Sequence, residues 1–166
     1  MPALDTRQLN PQTDRGRVAD LLLKAQDYYL LWKGRPPSDE EVDDFFDAGP
    51  PGCDPKSAYR LGLFDGADLC GVAELSFGFP EKADAYLGLM ILDPNARSKG
   101  YGAFFLEKVE DLARSSGAPC LYLAVLEANP RGRAFWERMG FMPTGVMRET
   151  NEDGLQHRIY RLKKPL

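Results

Sequence analysis

The apolar positions of the chain follow two rhythms. At Val18, Leu21, Leu22, Ala25, Tyr29 and Trp32 they recur every three or four residues, the spacing that lines one face of a helix, and the pattern ends at Gly34. Thr13 or Asp14 stands where a cap would sit. Arg35-Pro36-Pro37 interrupts the chain. Ser38 and Glu41 then form a capping-box pattern for a second, short helix with the stripe Val42, Phe45 and Phe46, stopped by Gly49-Pro50-Pro51-Gly52. A third helical pattern, over residues 100–116, carries Tyr101, Phe104, Phe105, Val109, Leu112 and Ala113, and Ser116-Gly117-Ala118-Pro119 ends it. A fourth begins at Asn129-Pro130, a cap followed by proline at the first helical position. It gathers Phe135, Trp136 and Met139 on one side and ends at Gly140.

The other rhythm is the short apolar run bounded by turn residues. Residues 3–9, 58–64, 69–79, 85–92, 120–126, 144–150 and 155–163 read as strands. Asp65-Gly66-Ala67-Asp68 and Asn151-Glu152-Asp153-Gly154 read as hairpin loops, so the strands beside them run antiparallel. The strands at 85–92 and 120–126 have a helix between them and must be parallel, because a crossover returns the chain in the same direction. The order β-α-α-β-β-β-α-β-α-β-β predicts an α/β fold with a mixed, mostly antiparallel sheet of about seven strands flanked by about four helices.

With 166 residues, 43% hydrophobic and 28% charged, the chain is expected to form one domain over residues 1–166, with a core large enough to need no metal or disulfide. Cys53, Cys70 and Cys120 are odd in number and far apart, there is no C-x-x-C pair, and His157 is the single histidine. This disfavours a disulfide framework or a zinc site and fits a reducing compartment. The N-terminus has no basic-then-apolar signal region and no apolar run has the length of a membrane span, so a cytoplasmic location and no membrane partner are expected. A net charge of −4 disfavours nucleic acid as a general partner and leaves small molecules as the expected one. A homodimer is compatible with the sequence and not required by it.

The chemistry concentrates where the apolar run from Leu87 ends in Asp93-Pro94-Asn95-Ala96-Arg97-Ser98-Lys99-Gly100-Tyr101-Gly102. A strand followed by a glycine-punctuated basic turn and a helix start presents unpaired N–H groups and the positive end of the helix dipole, a place for an anion. A nucleoside-triphosphate loop needs Lys and then Ser or Thr at its second glycine, whereas Ala103-Phe104 follow Gly102 here. A dinucleotide fingerprint lacks its third glycine, since Phe105 stands there, and has only Glu127 to offer the ribose. A plain turn at a helix start also fits the motif alone.

Two motifs together resemble the GNAT superfamily of acyl-CoA-dependent N-acetyltransferases. Arg97-Ser98-Lys99-Gly100-Tyr101-Gly102 matches its Gln/Arg-x-x-Gly-x-Gly/Ala signature. Asn129, Trp136 and Gly140-Phe141 match its second, an Asn followed seven residues later by an aromatic and then Gly-Phe. The resemblance runs from about residue 58 to the C-terminus and more loosely over the two N-terminal helices. It implies a GNAT fold and acetyl-CoA as cosubstrate, the amides of about residues 97–103 cradling the pyrophosphate with charge from Arg97 or Lys99. It also implies that backbone groups near Ile91 and Leu92 pair with the pantetheine where two strands splay apart, one amide polarising the thioester carbonyl. Asn129 would touch the pantetheine arm as well as cap its helix.

Acetyl transfer to an amine needs a proton taken from the ammonium and one supplied to the leaving thiolate. Many members of the family carry a Tyr acid where Trp136 stands, and an indole cannot realistically give up its proton. Water or the product ammonium, Tyr160 or Tyr122 would then supply it, or the protein binds acyl-CoA without catalysis. Glu74, in mid-strand, is the candidate base, with Glu127 a second. The resemblance implies that the acceptor, a small-molecule amine or a peptide lysine or N-terminus, is bounded by the first two helices and the last hairpin. Tyr28 or Trp32 would line its pocket, and the acidic second helix would favour a cationic acceptor if it is not a solvated face.

Overall fold

In the computed structural model, which describes residues 2–166, the strands form one sheet in the order β1-β2-β3-β4-β5-β7-β6. They are β1 (Leu4–Gln8), β2 (Tyr59–Asp65), β3 (Asp68–Phe77), β4 (Ala85–Leu92), β5 (Cys120–Leu126), β6 (Met142–Glu152) and β7 (Leu155–Pro165). Neighbours are antiparallel except β4 and β5, which are parallel because a helix crosses between them. The fold is α/β with a mixed, mostly antiparallel seven-stranded sheet, as the patterning predicts.

The helices are α1 (Arg15–Lys24), α2 (Gln26–Lys33), α3 (Asp39–Asp47), α4 (Tyr101–Ser115) and α5 (Pro130–Arg138). Strand alternation divides the core into two layers. On one face Leu61, Leu63, Ala73, Leu75, Leu87, Leu121, Leu123 and Leu162 meet Phe105, Leu106, Val109 and Ala113 of α4, with Phe135 and Trp136 of α5 at the margin. On the other face Phe64, Val72 and Ile91 meet Val18, Leu21 and Leu22 of α1, Tyr29 of α2, and Phe45 and Phe46 of α3. Phe105, wholly buried, is the sort of side chain whose truncation to Ala costs about 3–5 kcal/mol. No helix among the described residues is long and apolar enough to cross a membrane.

Two local features depart from the patterning. The first helical stretch is two helices, broken at Ala25, so five α-helices among the described residues stand where about four were expected. The apolar repeat runs unbroken through the bend because Ala25 is itself buried, while α1 lies on β3 and α2 swings away to reach β7. Asp14 precedes α1 but its side chain does not cap it. Its carboxylate instead takes both arms of Arg7 at 2.9 Å and the Asn10 amide at 2.7 Å, and the Arg7 guanidinium holds it down at about 2. The Ser38–Glu41 capping box is present. Burial opposes the charge on Glu41, yet bonds from the Ser38 hydroxyl and amide, with Lys33 at 3.3 Å, bring it down to about 2.

Candidate active site

Strands β4 and β5 pair only at Ala85–Leu121, Tyr86–Tyr122 and Leu87–Leu123. The next residue, Gly88, is supernumerary: Leu75 of β3 faces Leu87 and Glu74 faces Leu89, which leaves Gly88 as a bulge. The side chains agree, since Leu87 packs on the α4 face and Leu89, two positions on, packs on the α1 face. A bulge bends and twists its strand. From Gly88 onward β4 leaves β5, and a gap opens in the middle of the sheet. Gly88 and Ala124 are both exposed although their strands are interior ones.

Glu74 sits at the apex of that gap. A Cβ at position 88 would overlap its carboxylate, so glycine there makes the space Glu74 occupies. Glu74 is only 6% exposed, accepts the Ser76 hydroxyl, and has the Arg60 guanidinium 3.9 Å away. Arg60 is buried too, donating to the carbonyls of Phe45 at 2.7 Å and Pro55 at 3.3 Å. Burial raises the Glu74 carboxyl above the usual carboxylate range, and the Ser76 bond and the Arg60 charge offset part of the rise. A carboxylate of raised proton affinity beside an open position has the character of a general base.

Beyond the apex, β4 offers main chain. The Asp93 amide donates to the Cys70 carbonyl at 2.9 Å, which fixes the phase of the ladder. Ile91 therefore exchanges its backbone bonds with Val72 of β3, while Met90 and Leu92 turn theirs into the gap. Of the two residues near which open backbone groups are expected, Leu92 turns its amide into the gap, its carbonyl accepting from Arg97 at 3.3 Å, and Ile91 is spent on the sheet. Met90 joins the gap, and only the register reveals it. From Gly88 to Leu92 the open edge is about 13 Å long.

The turn follows at the far end of that edge. Asp93 caps a single 3-10 turn, Pro94–Ala96, by accepting the Asn95 amide at 2.9 Å. Ser98 (φ 61°) and Gly100 (φ 84°) then take left-handed conformations, and α4 starts at Tyr101. The Arg97 amide donates to the Pro94 carbonyl at 3.3 Å, whereas the amides of residues 98–103 find no partner among the described residues. Unpaired main-chain donors of this kind, ending on a helix N-terminus, have the geometry that suits an anion. The side chains divide differently. Arg97 is clamped by Asp27 of α2 at 2.7 and 3.1 Å and reaches the Leu92 carbonyl at 3.3 Å, so it braces the turn instead of standing free; Ser98 and Lys99 are exposed. The Tyr101 hydroxyl donates to Asp65 at 2.8 Å, and a Cβ at Gly102 would press on the Phe135 ring at 3.2 Å.

On the β5 side, Asn129 accepts the Gly132 amide at 3.0 Å through Oδ1, which caps α5 and leaves the side-chain NH2 available. Trp136 is held edge-on between Phe135 (4.9 Å) and Phe141 (5.5 Å). Glu127 is exposed, accepts the Tyr160 hydroxyl and lies 4.0 Å from Arg158. That bond raises the Tyr160 pKa, so Tyr160 releases its proton less readily, and burial does the same to Tyr122. Glu74, by contrast, is brought to the apex. A cleft of about 560 Å³ also opens beside the turn, between α1 and the start of β3, lined by Arg17, Lys24, Asp68, Asp93 and Lys99. It lies across β4 from the gap and its charges are mixed, so the gap is the better candidate.

Residues 22–141 match the acetyltransferase (GNAT) family. Mycothiol acetyltransferase of Beutenbergia cavernae is 29% identical over 84 residues, which are 51% of this chain and 28% of that protein, so the match spans little more than a quarter of the relative. Among solved structures, an acetyltransferase from Thermus thermophilus is 24% identical with a TM-score of 0.76 over 100% of both chains. A paiA N-acetyltransferase from Thermoplasma acidophilum in complex with coenzyme A is 16% identical, with a TM-score of 0.68 over 99% of both. These two likenesses are of fold. The chain belongs to the acetyltransferase (GNAT) family.

Proposed function

We propose that this chain transfers an acetyl group from acetyl-CoA to a primary amine by direct attack in a ternary complex. The observation that carries the reading is the β4–β5 gap, with unpaired amides at one end and a buried carboxylate at the other. The amides of residues 98–103 would hold the pyrophosphate, with Lys99 adding charge and Arg97 keeping the turn in shape through Asp27. Met90 and Leu92 would bond the pantetheine along the strand edge, and the free side-chain NH2 of Asn129 would meet it from β5.

Acetyl-CoA supplies an acyl group activated as a thioester. Glu74 takes the proton from the acceptor ammonium, and the amine nitrogen then forms its bond to the carbonyl carbon. A gap-facing amide of Met90 or Leu92 stabilises the oxygen as it gains charge. As the C–S bond breaks, the sulfur takes the proton that the new amide nitrogen sheds, and Glu74 returns its own to solvent. Trp136 contributes packing and at most a hydrogen bond.

The test is a thermal-shift measurement with acetyl-CoA, followed by thiol release across a panel of amines. No shift with any acyl-CoA would sink the reading. A second reading, an acyl-CoA-binding module without catalysis, is favoured by one observation, the indole of Trp136 at the position of a usual Tyr acid. It predicts the thermal shift with no thiol release from any amine.

A further inference from the structure

The opening above Gly88 and Ala124 has a roof and walls that bear on the acceptor's chemistry. Helix α2 crosses it. Tyr28, near one end, has its hydroxyl pushed up to about 12 by burial, with the field of the Tyr86 hydroxyl of β4 adding to the rise. Trp32, near the other end, gives its carbonyl to His157 Nε2 of β7 at 2.7 Å, with the two rings 5.3 Å apart. A molecule entering beneath α2 faces Glu74 on the β3 side and arginines on the β7 side.

Arg161 stands directly opposite Ala124 in the β5–β7 ladder, and opposed residues share a face, so its side chain leans over the exposed floor. Its guanidinium lies 5.0 Å from the centre of the Phe79 ring, which packs edge-on against Tyr86 at 5.1 Å. Arg148 of β6 adds a second positive charge. Burial raises the Tyr86 hydroxyl, and the fields of Arg161 and Arg148 both reach it from β7 and β6 while that of Glu74 reaches it from β3.

The carboxylates that would neutralise these arginines are engaged elsewhere. Glu127 and Glu149 face Arg158, at 4.0 and 3.5 Å. Asp84 is buried in its own turn, accepting the Glu81 amide at 3.2 Å. On acidic α3, Asp43 pairs with Arg15 at 2.6 Å and Glu41 with Arg35 at 2.7 Å, while the Phe45 carbonyl and the charge of Asp47 are turned to Arg60. In a chain of net charge −4, the fields of two guanidiniums meet that of one buried carboxylate at the Tyr86 hydroxyl. Neither Arg148 nor Arg161 makes an ion pair among the described residues.

We propose that the acceptor is a primary amine that also carries a small anionic group, a carboxylate or its phosphonate equivalent, which Arg161 and Arg148 hold while Glu74 faces the amine. This inference rests on the acetyl-transfer reading and replaces the cationic acceptor that the acidic helix suggested. A planar guanidinium fork matches a carboxylate and orients it, which an ammonium does less well. The amine of a bifunctional acceptor is thereby aimed at the apex.

The test compares amino acids with their carboxamides and with aminoalkyl phosphonates, measured by thiol release at saturating acetyl-CoA. The wild-type protein should prefer each anionic amine to its carboxamide by about thirtyfold or more in kcat/KM. Arg161→Gln should lower that preference by about tenfold, chiefly through KM, and Arg161→Lys should recover part of it. Should Arg161→Gln fail to fold, Arg148→Gln at an exposed position reads the same ratio. Equal rates for acid and carboxamide, a preference for diamines, or a ratio unchanged in folded Arg161→Gln would overturn this inference alone. A thermal shift with acetyl-CoA but no release from any amine would overturn the acetyl-transfer reading and this inference with it.

Discussion

The two ends of the β4–β5 gap are made of different materials. At the turn, the groups aimed at a ligand are main-chain amides, shaped by the left-handed Gly100 and the start of α4. At the apex the groups proposed to meet one are side chains from separate strands: Glu74 of β3 steadied by Arg60 of β2, and Arg161 of β7. A site of the first kind depends on local backbone conformation. The second kind depends on register, because one residue's slip would turn every contributing side chain to the opposite face.

Substitutions should separate the two ends. The largest effect is expected for Glu74→Gln, a loss of about 10²–10⁴-fold in kcat/KM, with the acetyl-CoA thermal shift unchanged. Because burial raises the Glu74 pKa, wild-type kcat/KM should climb with pH through a value above the usual carboxylate range and level off once the group is ionised. In Glu74→Gln that climb should disappear from the pH–rate profile; if it persists, Glu74 is not the base. Gly100→Val should show the opposite signature. A β-branched residue at φ 84° costs about 1–2 kcal/mol, and the acetyl-CoA KM should rise about tenfold while kcat moves less.

Smaller effects sharpen the division within the turn. Arg97→Gln and Asp27→Asn should each raise the acetyl-CoA KM by only about threefold, and the double variant by no more than either alone, because the two residues act as one brace. A much larger loss for Arg97→Gln alone would mean that the guanidinium leaves Asp27 to bind the coenzyme. Trp136→Phe should stay within about threefold in turnover if the ring only packs between Phe135 and Phe141. A loss beyond about a hundredfold, roughly 2.7 kcal/mol, would give the indole a role in the chemistry.

The contrast also explains what could be read from the sequence. The turn was visible, since glycines, a basic segment and the apolar repeat of α4 lie together in a short stretch. The parallel pair β4–β5 followed from the helix between them, and the Ser38–Glu41 cap from two residues three apart. Glu74 could be singled out as a carboxylate in mid-strand. Its Arg60 partner and its place above Gly88 could not, because a one-residue bulge leaves the apolar pattern of β4 intact. The same blindness hid Met90, whose orientation depends on the phase of the ladder, and the bend at Ala25, which the apolar repeat crosses because Ala25 is itself buried. Arg161 and Arg148 gave no signal, since arginines in a terminal hairpin look like solvated surface until the sheet aligns one of them with Ala124.

Main-chain ligands cannot be exchanged by changing a side chain. At the turn, drift can alter most side chains and leave the anion cradle in place so long as the backbone keeps its path. At the apex, single changes on β3, β4 or β7 would rewrite the list of groups proposed to meet the acceptor. A lineage built on this scaffold can keep its acyl donor while its acceptor turns over, so descent will be a better guide to the first than to the second.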